Sequence, residues 1–257
     1  MTRWCARLIR YGGCGFIVWL FAVWPPPSWY RAHAPQRTAF MAMRSRQGQD
    51  SPGAPNDRYE PVGLKEIAPS LQQAVLVAED RRFFEHGGVD YQAVREAIGY
   101  RRSDFTWGNP ADRHAMWLAL TSLWRRRHEV RGASTITQQL AKNLYLSPSR
   151  NPLRKVKEAA TAYRLESALG KHRILELYLT VVELGPGVWG VGAASQFYFG
   201  KPPSRLTARE AALLAATLPS PLSANPSYHP ERIRWRRDMI LRRTQGYPVA
   251  IPPQQNK

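Results

Sequence analysis

The chain has 257 residues, of which 37 are Lys or Arg and 19 are Asp or Glu, for a formal net charge of +18. This length fits one ordinary domain with a short attachment and excludes two full enzyme domains. Hydrophobic residues make up 44% of the chain, which is enough for a buried core and excludes disorder over most of its length. Cys5 and Cys14 both lie near the amino terminus, so neither a disulfide framework nor a cysteine-built zinc site is expected. The positive charge indicates an anionic partner, which is a nucleic acid, an acidic membrane or a phosphorylated substrate.

The amino terminus has the pattern of a membrane anchor. Arg3, Arg7 and Arg10 precede an apolar, tryptophan-containing run at 16–24, and a basic start followed by an apolar stretch is typical of a secretory signal or a signal anchor. No small-x-small cleavage site follows the run, so a retained anchor is favoured over a cleaved signal peptide. A buried core helix is the alternative, but the run lacks helical alternation of polar and apolar residues.

A helix that spans a bilayer needs roughly 20 residues, and the chain reaches this length only when the stretch is counted from 11 to 30. Segment 11–30 is therefore predicted to be the anchor, with Trp24, Trp29 and Tyr30 at the membrane interface. The early arginines stay on the cytoplasmic side, which makes residues 1–10 a cytoplasmic tail and puts the rest of the chain outside. Nucleic acid is not expected as a partner of an extracytoplasmic domain.

The remainder divides into a linker, one globular domain and a tail. Residues 31–61 are rich in Pro, Gly, Ser, Gln and Arg, a composition that favours a linker. A globular domain is predicted at 62–246, and a tail with Pro and Gln follows at 247–257. Apolar residues recur at helical spacing nearly throughout the domain and no strand-turn-strand series is evident, so the predicted fold class is all-α. The predicted helices lie at 69–84, 91–100, 134–146, 152–169 and 208–218, with a further helical stripe at Ile174, Tyr178 and Val182.

One stretch, between 101 and 131, combines tryptophans and leucines with the run Arg125-Arg126-Arg127. This combination suits an interfacial membrane helix. A covered surface helix fits the same residues equally well, and the sequence does not decide between the two.

Glu79 is the first candidate for catalysis. On a continuous helix, Glu79, Phe83 and His86 share one face, and Asp80 lies next to it. A carboxylate beside an aromatic ring at a helix end is a place where burial raises the pKa and makes a usable base. A solvated helix end is the alternative.

Residues 132–143 carry the second candidate site. Thr135 and Gln138 have the spacing of a capping box, which is a structural role. Thr135, Gln139 and Lys142 also form a polar stripe opposite an apolar one. Hydroxyl, amide and ammonium groups above a helix amino terminus suit sugar hydroxyls and a phosphate. Both interpretations stay open at this point.

The third candidate is Arg154-Lys155-x-x-Glu158. On a helix, both cations lie within one turn of the carboxylate. The pattern indicates either an exposed ion-pair network, worth well under about 1 kcal/mol, or a pocket in which the cations bind a diphosphate and hold Glu158 ionised.

These motifs belong to a longer series that resembles a known family. The series is Glu-Asp-x-x-Phe-x-x-His at 79–86, Gly-x-Ser-Thr-x-Thr-Gln-Gln at 132–139, Arg-Lys-x-x-Glu at 154–158, Ile-Leu-Glu-Leu-Tyr-Leu at 174–179 and Gly-Val-x-Ala-Ala-Ser at 190–195. Together the motifs resemble the peptidoglycan glycosyltransferase family, which includes the polymerase domain of class A penicillin-binding proteins and its monofunctional relatives. The resemblance covers about 62–243. No Ser-x-x-Lys followed by Lys-Thr-Gly is present, so a transpeptidase domain is not expected.

The resemblance implies a lysozyme-like, α-helical fold and an inverting glycosyl transfer. Glu79 would be the base that deprotonates the 4-hydroxyl of the acceptor N-acetylglucosamine. That oxygen would attack C1 of the N-acetylmuramic acid at the reducing end of the growing chain, forming a β-1,4 bond as undecaprenyl diphosphate leaves. Arg154 and Lys155 would neutralise the diphosphate, and Glu158 would be the second essential carboxylate. The residues implied at the donor site are Ser134, Thr135, Gln139, Lys142 and Asn143, and those implied around the base are Asp80, Phe83 and His86.

The implied partners are lipid II, the lipid-linked nascent glycan and membrane lipids, at the bacterial inner membrane with the domain on the periplasmic face. Other cell-wall synthesis or division proteins stay open as partners, as does a divalent cation, Mg²⁺ or Mn²⁺, at the substrate diphosphate. No residue is predicted as a metal ligand. The chain departs from the family pattern at Thr180, where Asn is usual, at Ala133, where a second Gly is frequent, and between 100 and 131, which is longer than usual.

Two other functions are compatible with this fold. A lytic muramidase cleaves glycan with one acidic Glu, but it has no use for the Arg154-Lys155 pair because cleavage of a neutral glycosidic bond releases no diphosphate. A non-catalytic, membrane-anchored scaffold needs neither carboxylate, and the presence of both Glu79 and Glu158 argues against it.

Overall fold

The computed structural model describes residues 2–49, 57–97, 106, 108–125, 134–146 and 152–254. Most of these residues are helical. The α-helices are α1 (Thr2–Phe21), α2 (Ala39–Gln49), α3 (Pro69–Glu79), α4 (Tyr91–Ala97), α5 (Pro110–Arg125), α6 (Ile136–Tyr145), α7 (Pro152–Ala168), α8 (Lys171–Val181), α9 (Gly190–Phe199), α10 (Ala208–Thr217) and α11 (Glu231–Gly246). The strands are β1 (Arg58–Tyr59), β2 (Glu183–Gly185) and β3 (Val188–Trp189), and single turns of 3₁₀-helix lie at Pro27–Arg31, Leu64–Glu66 and Pro203–Arg205.

The core is built mainly from α3, α6, α8 and α10. Helix α10 packs against α3 and α11, and α6 packs against α7 and α8. Leu71 of α3 and Leu140 of α6 are fully buried. Ile174 and Tyr178 of α8 are also buried, as the predicted helical stripe requires. Val182, the third residue of that stripe, is buried but follows the helix with φ −67° and ψ 140°. These four helices therefore form the frame against which α7 and α11 pack, and residues of the candidate site come both from the frame and from these two helices.

Helix α3 ends at Glu79, earlier than the sequence predicts. The N–H of Asp80 donates to the Leu76 carbonyl, and Asp80 itself has φ −160° and ψ 79°, which are not helical values. Residues 81–85 then form turns. The cause is the Asp80 carboxylate, which bonds to the N–H of Ile136 and to His86 instead of facing solvent. The prediction of one helix over 69–84, with Glu79 and His86 on a shared face, is therefore wrong.

A small sheet is the exception to the predicted all-α class. Strand β3 pairs in parallel with β1 and antiparallel with β2. Pro186 and Gly187 join β2 to β3, and Gly187 takes a φ of 65°, which is the left-handed conformation that the third residue of a type II turn needs. Strands of two or three residues are too short to show alternation, so the pattern of the sequence does not reveal them.

The segment between α1 and β1 folds onto the domain. Tyr30 is buried, and its ring lies edge-on to Tyr145 with 6.2 Å between the ring centres. Helix α2 packs against α6, where Met41 is buried and its N–H donates to the Thr38 hydroxyl at 3.1 Å. This arrangement differs from the linker expected at 31–61 and from the interfacial position expected for Tyr30. A few apolar residues are enough to dock the segment, although its average composition is polar.

Helix α1 ends at Phe21, so segment 11–30 is not one continuous helix. Within the part of the chain that the structure describes, no helix is both long enough and apolar enough to cross a membrane. The anchor therefore stays a prediction.

Helix α5 occupies part of the stretch at 101–131, and Trp117 and Leu118 on it are exposed. Trp107, Arg126 and Arg127 lie outside the described residues, and so does Ala133. The choice between an interfacial membrane helix and a covered surface helix stays open.

Candidate active site

Glu79 lies at the carboxyl end of α3, beside a cavity of about 670 Å³. The apolar side of α3 is buried through Leu71, Val75 and Leu76, and this packing fixes where the helix end meets the cavity. The walls come from the end of α3, the turns that follow it, α4, the start of α6 and α11. The lining residues include Glu79, Asp80, Arg82, Asp90, Ser134, Thr135 and Arg243.

The Glu79 carboxylate is held by two N–H donors, one on each oxygen. The side-chain amide of Gln139 donates to Oε2 at 2.9 Å, and Arg236 donates to Oε1 at 3.0 Å. The Tyr178 hydroxyl in turn donates to the Gln139 Oε1 at 2.9 Å, which orients the amide. Burial raises the pKa of Glu79, while Gln139, Arg236 and Lys142 act in the opposite direction. The carboxylate is thus fixed in position and more basic than an ordinary glutamate.

Asp80 connects the end of α3 to the start of α6. Its Oδ2 accepts the backbone N–H of Ile136 at 3.0 Å, and its Oδ1 lies 2.9 Å from Nε2 of His86. An anionic group at a helix amino terminus satisfies an N–H that has no partner within the helix. Phe83 is fully buried in the core. The roles of these three residues are therefore structural. Of Asp80, Phe83 and His86, only Asp80 lines the cavity.

Thr135 caps α6, as one of the two interpretations of its spacing predicts. Its hydroxyl oxygen accepts the N–H of Gln138 at 3.1 Å, the Gln138 side chain accepts the N–H of Thr135 at 3.2 Å, and the hydroxyl donates to the Gly88 carbonyl at 2.6 Å. Thr135 and Asn143 are both buried. Ser134, which precedes the cap, is partly exposed and faces the cavity.

Glu158 of α7 is buried between two cations. Arg154 donates to its Oε2 at 2.7 Å, and Lys155 donates to its Oε1. Lys155 also donates to the Ser134 hydroxyl at 2.8 Å, which joins this cluster to the start of α6. The side chain of Glu158 is only 4% exposed and that of Lys155 is 47% exposed. An exposed surface network does not describe this cluster, because the carboxylate is inside the protein and a cation reaches outward.

Lys142 interacts electrostatically with both carboxylates. Burial lowers the pKa of Lys142 most, the charges of Arg154 and Lys155 also lower it, and the charges of Glu158 and Glu183 raise it. The charge of Lys142 also lowers the pKa of Glu79. One ammonium group therefore acts on both Glu79 and Glu158, so the structure brings the motifs of α3, α6 and α7 together around a single region.

Three contacts in and around the candidate site have no signal in the local sequence. Arg236 reaches Glu79 across 157 positions of the chain, and it is one of several arginines on α11. Tyr178 is predicted only as a buried stripe residue. Arg44 of α2 pairs with the buried Glu183 at 3.1 Å, and α2 itself lies in the segment expected to be a linker. Only the tertiary structure shows which of several similar residues in the sequence make these contacts.

Asp80, His86 and Asp90 are the described acidic and histidine residues whose ligand atoms come close enough for a metal ion, within 4.8 Å of one another. Arg82 occupies both oxygens of Asp90, at 3.0 and 3.1 Å. Asp80 also uses both of its oxygens in bonds within the chain. Because these acceptors already bind N–H donors, we assign no metal ion to the cluster.

Thr180, which departs from the family pattern, has a packing role. It is buried, and its hydroxyl donates to the Val62 carbonyl at 3.4 Å. The backbone of Thr180 lies directly against Gly190, where an added Cβ would come within 2.1 Å of the Thr180 oxygen and where φ is 74°. Only glycine fits position 190 under these conditions.

Comparison with known proteins agrees with the motifs. Residues 49–106 and 102–245 match the transglycosylase family. A biosynthetic peptidoglycan transglycosylase of Azoarcus sp. (strain BH72) is 35% identical over 242 residues, which is 92% of this chain and 95% of the relative. Proteins of the same name from Neisseria gonorrhoeae and Bordetella avium are 40% and 34% identical, over 83% and 94% of this chain and 82% and 96% of each relative.

Proposed function

The chain belongs to the transglycosylase family, and we propose on this basis that it is a peptidoglycan glycosyltransferase that polymerises glycan strands from lipid II during cell-wall synthesis. The observation that supports this mechanism is that a buried carboxylate lies next to a cluster of cations. Glu79 is a buried carboxylate with a raised pKa, and through Lys142 it adjoins a cluster of cations on α7. A base next to a cationic pocket suits the transfer of a sugar from a diphosphate.

Glu79 is the general base of the proposed reaction. It takes the proton from the 4-hydroxyl of the acceptor N-acetylglucosamine, and the oxygen forms a bond to C1 of the N-acetylmuramic acid at the reducing end of the growing chain. The bond from C1 to the diphosphate oxygen breaks, and its electron pair leaves with undecaprenyl diphosphate. Gln139 and Arg236 each use one lone pair of the carboxylate, and a carboxylate has about four acceptor positions, so a hydroxyl donor still finds a free one.

Arg154, Lys155 and Lys142 receive the charge that develops on the leaving diphosphate. Fixed positive groups stabilise such charge strongly, because they need no reorganisation during the reaction. Glu158 holds Arg154 and Lys155 in place through two hydrogen bonds. Ser134, which Lys155 contacts, completes the proposed donor side, and the buried Thr135 and Asn143 support it by fixing α6.

Arg154 and Lys155 already pair with the two oxygens of Glu158, and a divalent cation, Mg²⁺ or Mn²⁺, that approached this carboxylate would be repelled by both cations. We therefore assign such an ion no ligand from this carboxylate and no step in the reaction.

We also propose that the enzyme works at the bacterial inner membrane, with the domain on the periplasmic face. The exposed apolar part of α1, within the predicted anchor 11–30, is the part proposed to enter the bilayer, because Tyr30 at the end of that segment is buried in the domain. Exposed apolar side chains support this location. Ile17 and Val18 on α1 are 57% and 67% exposed, and Leu153 and Val156 on α7 are each 49% exposed. Helix α1 packs along α7, so these residues belong to neighbouring elements.

Purified protein in detergent is expected to convert lipid II to glycan polymer, and Glu79→Gln is expected to abolish this activity. The loss should be on the order of 10²- to 10⁴-fold, the usual contribution of a general base. The matched control is Glu60→Gln, because Glu60 is exposed and does not line this cavity, and it should leave the rate nearly unchanged. Normal polymer yield from Glu79→Gln would refute the role of Glu79.

Two further measurements separate the alternative functions. Release of soluble muropeptides from isolated sacculi would favour a lytic muramidase. Full rescue of a strain lacking the enzyme by the double variant Glu79→Gln, Glu158→Gln would favour a non-catalytic scaffold.

A further inference from the structure

Arg236 is the residue outside the sequence motifs that touches the proposed base. It lies on α11, which packs against α3 and α10. Its Nη2 donates to Oε1 of Glu79 at 3.0 Å and to the carbonyl oxygen of Ala78 at 3.2 Å. The second bond engages a carbonyl in the last turn of α3, where carbonyls lack partners within the helix and a cation is favourable. One guanidinium group thus fixes both the helix end and the carboxylate that projects from it.

The contact with Arg236 also restricts the rotation of the Glu79 side chain. Gln139 holds one carboxylate oxygen and Arg236 holds the other. The Gln139 amide cannot turn freely because Tyr178 donates to its oxygen. Two donors from different helices therefore define the plane of the carboxylate, which a single donor does not do. A base in a fixed orientation loses less entropy when the acceptor hydroxyl arrives.

The charges around Glu79 indicate a second effect of Arg236. The side chain of Glu79 is 12% exposed and that of Arg236 is 28% exposed. The other groups that face Glu79 are Lys142 from α6, the neutral Tyr178 from α8, and Asp80 from its own helix end; Arg243 of α11 lines the same cavity. Burial favours the protonated acid, which cannot act as a base, whereas a nearby cation favours the carboxylate.

We propose that Arg236 is a positioning residue for the reaction: it orients the largely buried Glu79 carboxylate and keeps it ionised. This inference rests on the proposed role of Glu79 as the base. No other arginine of α11 is described in a hydrogen bond to Glu79, although the helix also carries Arg232, Arg234, Arg237, Arg242 and Arg243.

The test is the pH dependence of kcat/KM for lipid II polymerisation in the full-length enzyme. In Arg236→Gln the acidic limb should move to higher pH by about one unit or more, since an adjacent cation typically lowers a carboxyl pKa by roughly 1–3 units. The rate should therefore fall by at least about tenfold on the acidic side and recover to within a few fold of the wild type on the alkaline side. Arg242→Gln is the matched control, because Arg242 is exposed on the same helix, and its profile should coincide with that of the wild type.

An unmoved acidic limb in a folded Arg236→Gln protein overturns the inference, whether its rate is normal or uniformly low. If Arg236→Gln does not fold, Arg236→Lys decides. Lysine keeps the charge but lacks the planar fork of donors, so kcat should fall several fold with little change in KM and a smaller shift of the limb. Wild-type kcat and an unmoved limb in Arg236→Lys overturn the inference. Activity retained by Glu79→Gln instead refutes the base itself, so the two failures are distinguishable.

Discussion

Glu79 experiences opposing influences from its surroundings. Burial raises the pKa of its carboxyl, and the donors Gln139 and Arg236 limit that rise. Burial alone would leave a protonated acid, and strong pairing alone would leave a weak base. The surroundings of Glu79 combine burial with pairing, so its pKa is raised less than burial alone would raise it. This combination requires side chains from α6 and α11 as well as the helix that carries the glutamate.

The raised pKa of Glu79 also predicts how stability depends on pH. Folding raises the pKa of this carboxyl, so the folded state binds the proton more tightly than the unfolded chain does. The stabilisation is fully present below the ordinary carboxyl pKa and is lost as pH rises through the folded-state pKa. Since glutamine does not titrate, the Tm of the wild type minus that of Glu79→Gln should decrease as pH rises through this window. Thermal denaturation at several pH values measures the difference, and a difference that grows with pH would contradict the prediction.

Among the secondary-structure elements, α6 connects the parts of the candidate site through its amino end. Asp80 binds its first N–H, Thr135 caps it, and Lys155 of α7 contacts the neighbouring Ser134. A displacement of this one helix end would move Gln139 and Lys142 together, because both lie within the next two turns. Residues that never touch substrate are therefore expected to affect catalysis through α6.

Two capping boxes allow this expectation to be tested, of which only that of Thr135 is buried. Thr135→Val in α6 and Thr207→Val in α10 each remove the hydroxyl of a capping box. Loss of the cap should cost about 1–2 kcal/mol in each variant, and Thr135→Val should cost about 1 kcal/mol more because its bond to the Gly88 carbonyl is also lost. The fall in Tm should be roughly 2–8 °C for Thr207→Val and roughly 4–12 °C for Thr135→Val in a domain of this size. Only Thr135→Val should also lower kcat at a temperature where both variants are folded. Equal activity in the two variants would show that the start of α6 has no special role.

For the whole molecule, the positive net charge and the exposed apolar side chains both indicate binding to a membrane. The net charge of +18 attracts an anionic surface or substrate over a distance. The exposed apolar residues of α1 add hydrophobic binding to this electrostatic attraction. Either contribution alone gives only weak binding to a membrane. The enzyme is thus expected to bind anionic membranes through α1 and basic residues together.

The double variant Ile17→Asp, Val18→Asp should lose most of its flotation with anionic lipid vesicles. Both side chains are exposed, so the change should not unfold the domain, whereas each charged residue in a membrane-inserted helix costs about 2.5–3.5 kcal/mol. The control is Leu222→Asp, because Leu222 is exposed elsewhere in the molecule. Equal flotation of the double variant and the wild type would contradict the proposed anchor.

The sequence predicts the parts of the site that depend on short spacing. The Thr135–Gln138 capping box and the contacts of Arg154 and Lys155 with Glu158 arise within a single helical turn, and the structure contains both. The end of α3 is predicted incorrectly, because it depends on bonds from Asp80 to Ile136 and His86 that no local pattern encodes.

By itself, the sequence determines most of the helical frame and the family, and it predicts the two carboxylates proposed for the reaction, because periodicity and motif spacing are local properties of the chain. Only the tertiary structure decides which side chains surround Glu79. Arg236 and Tyr178 are distant in sequence from that carboxylate and resemble many other residues of their types, and they acquire a role only when α8 and α11 pack around the end of α3. The protonation state of a buried acid depends on all groups within a few ångströms, and folding brings those groups together from separate parts of the chain.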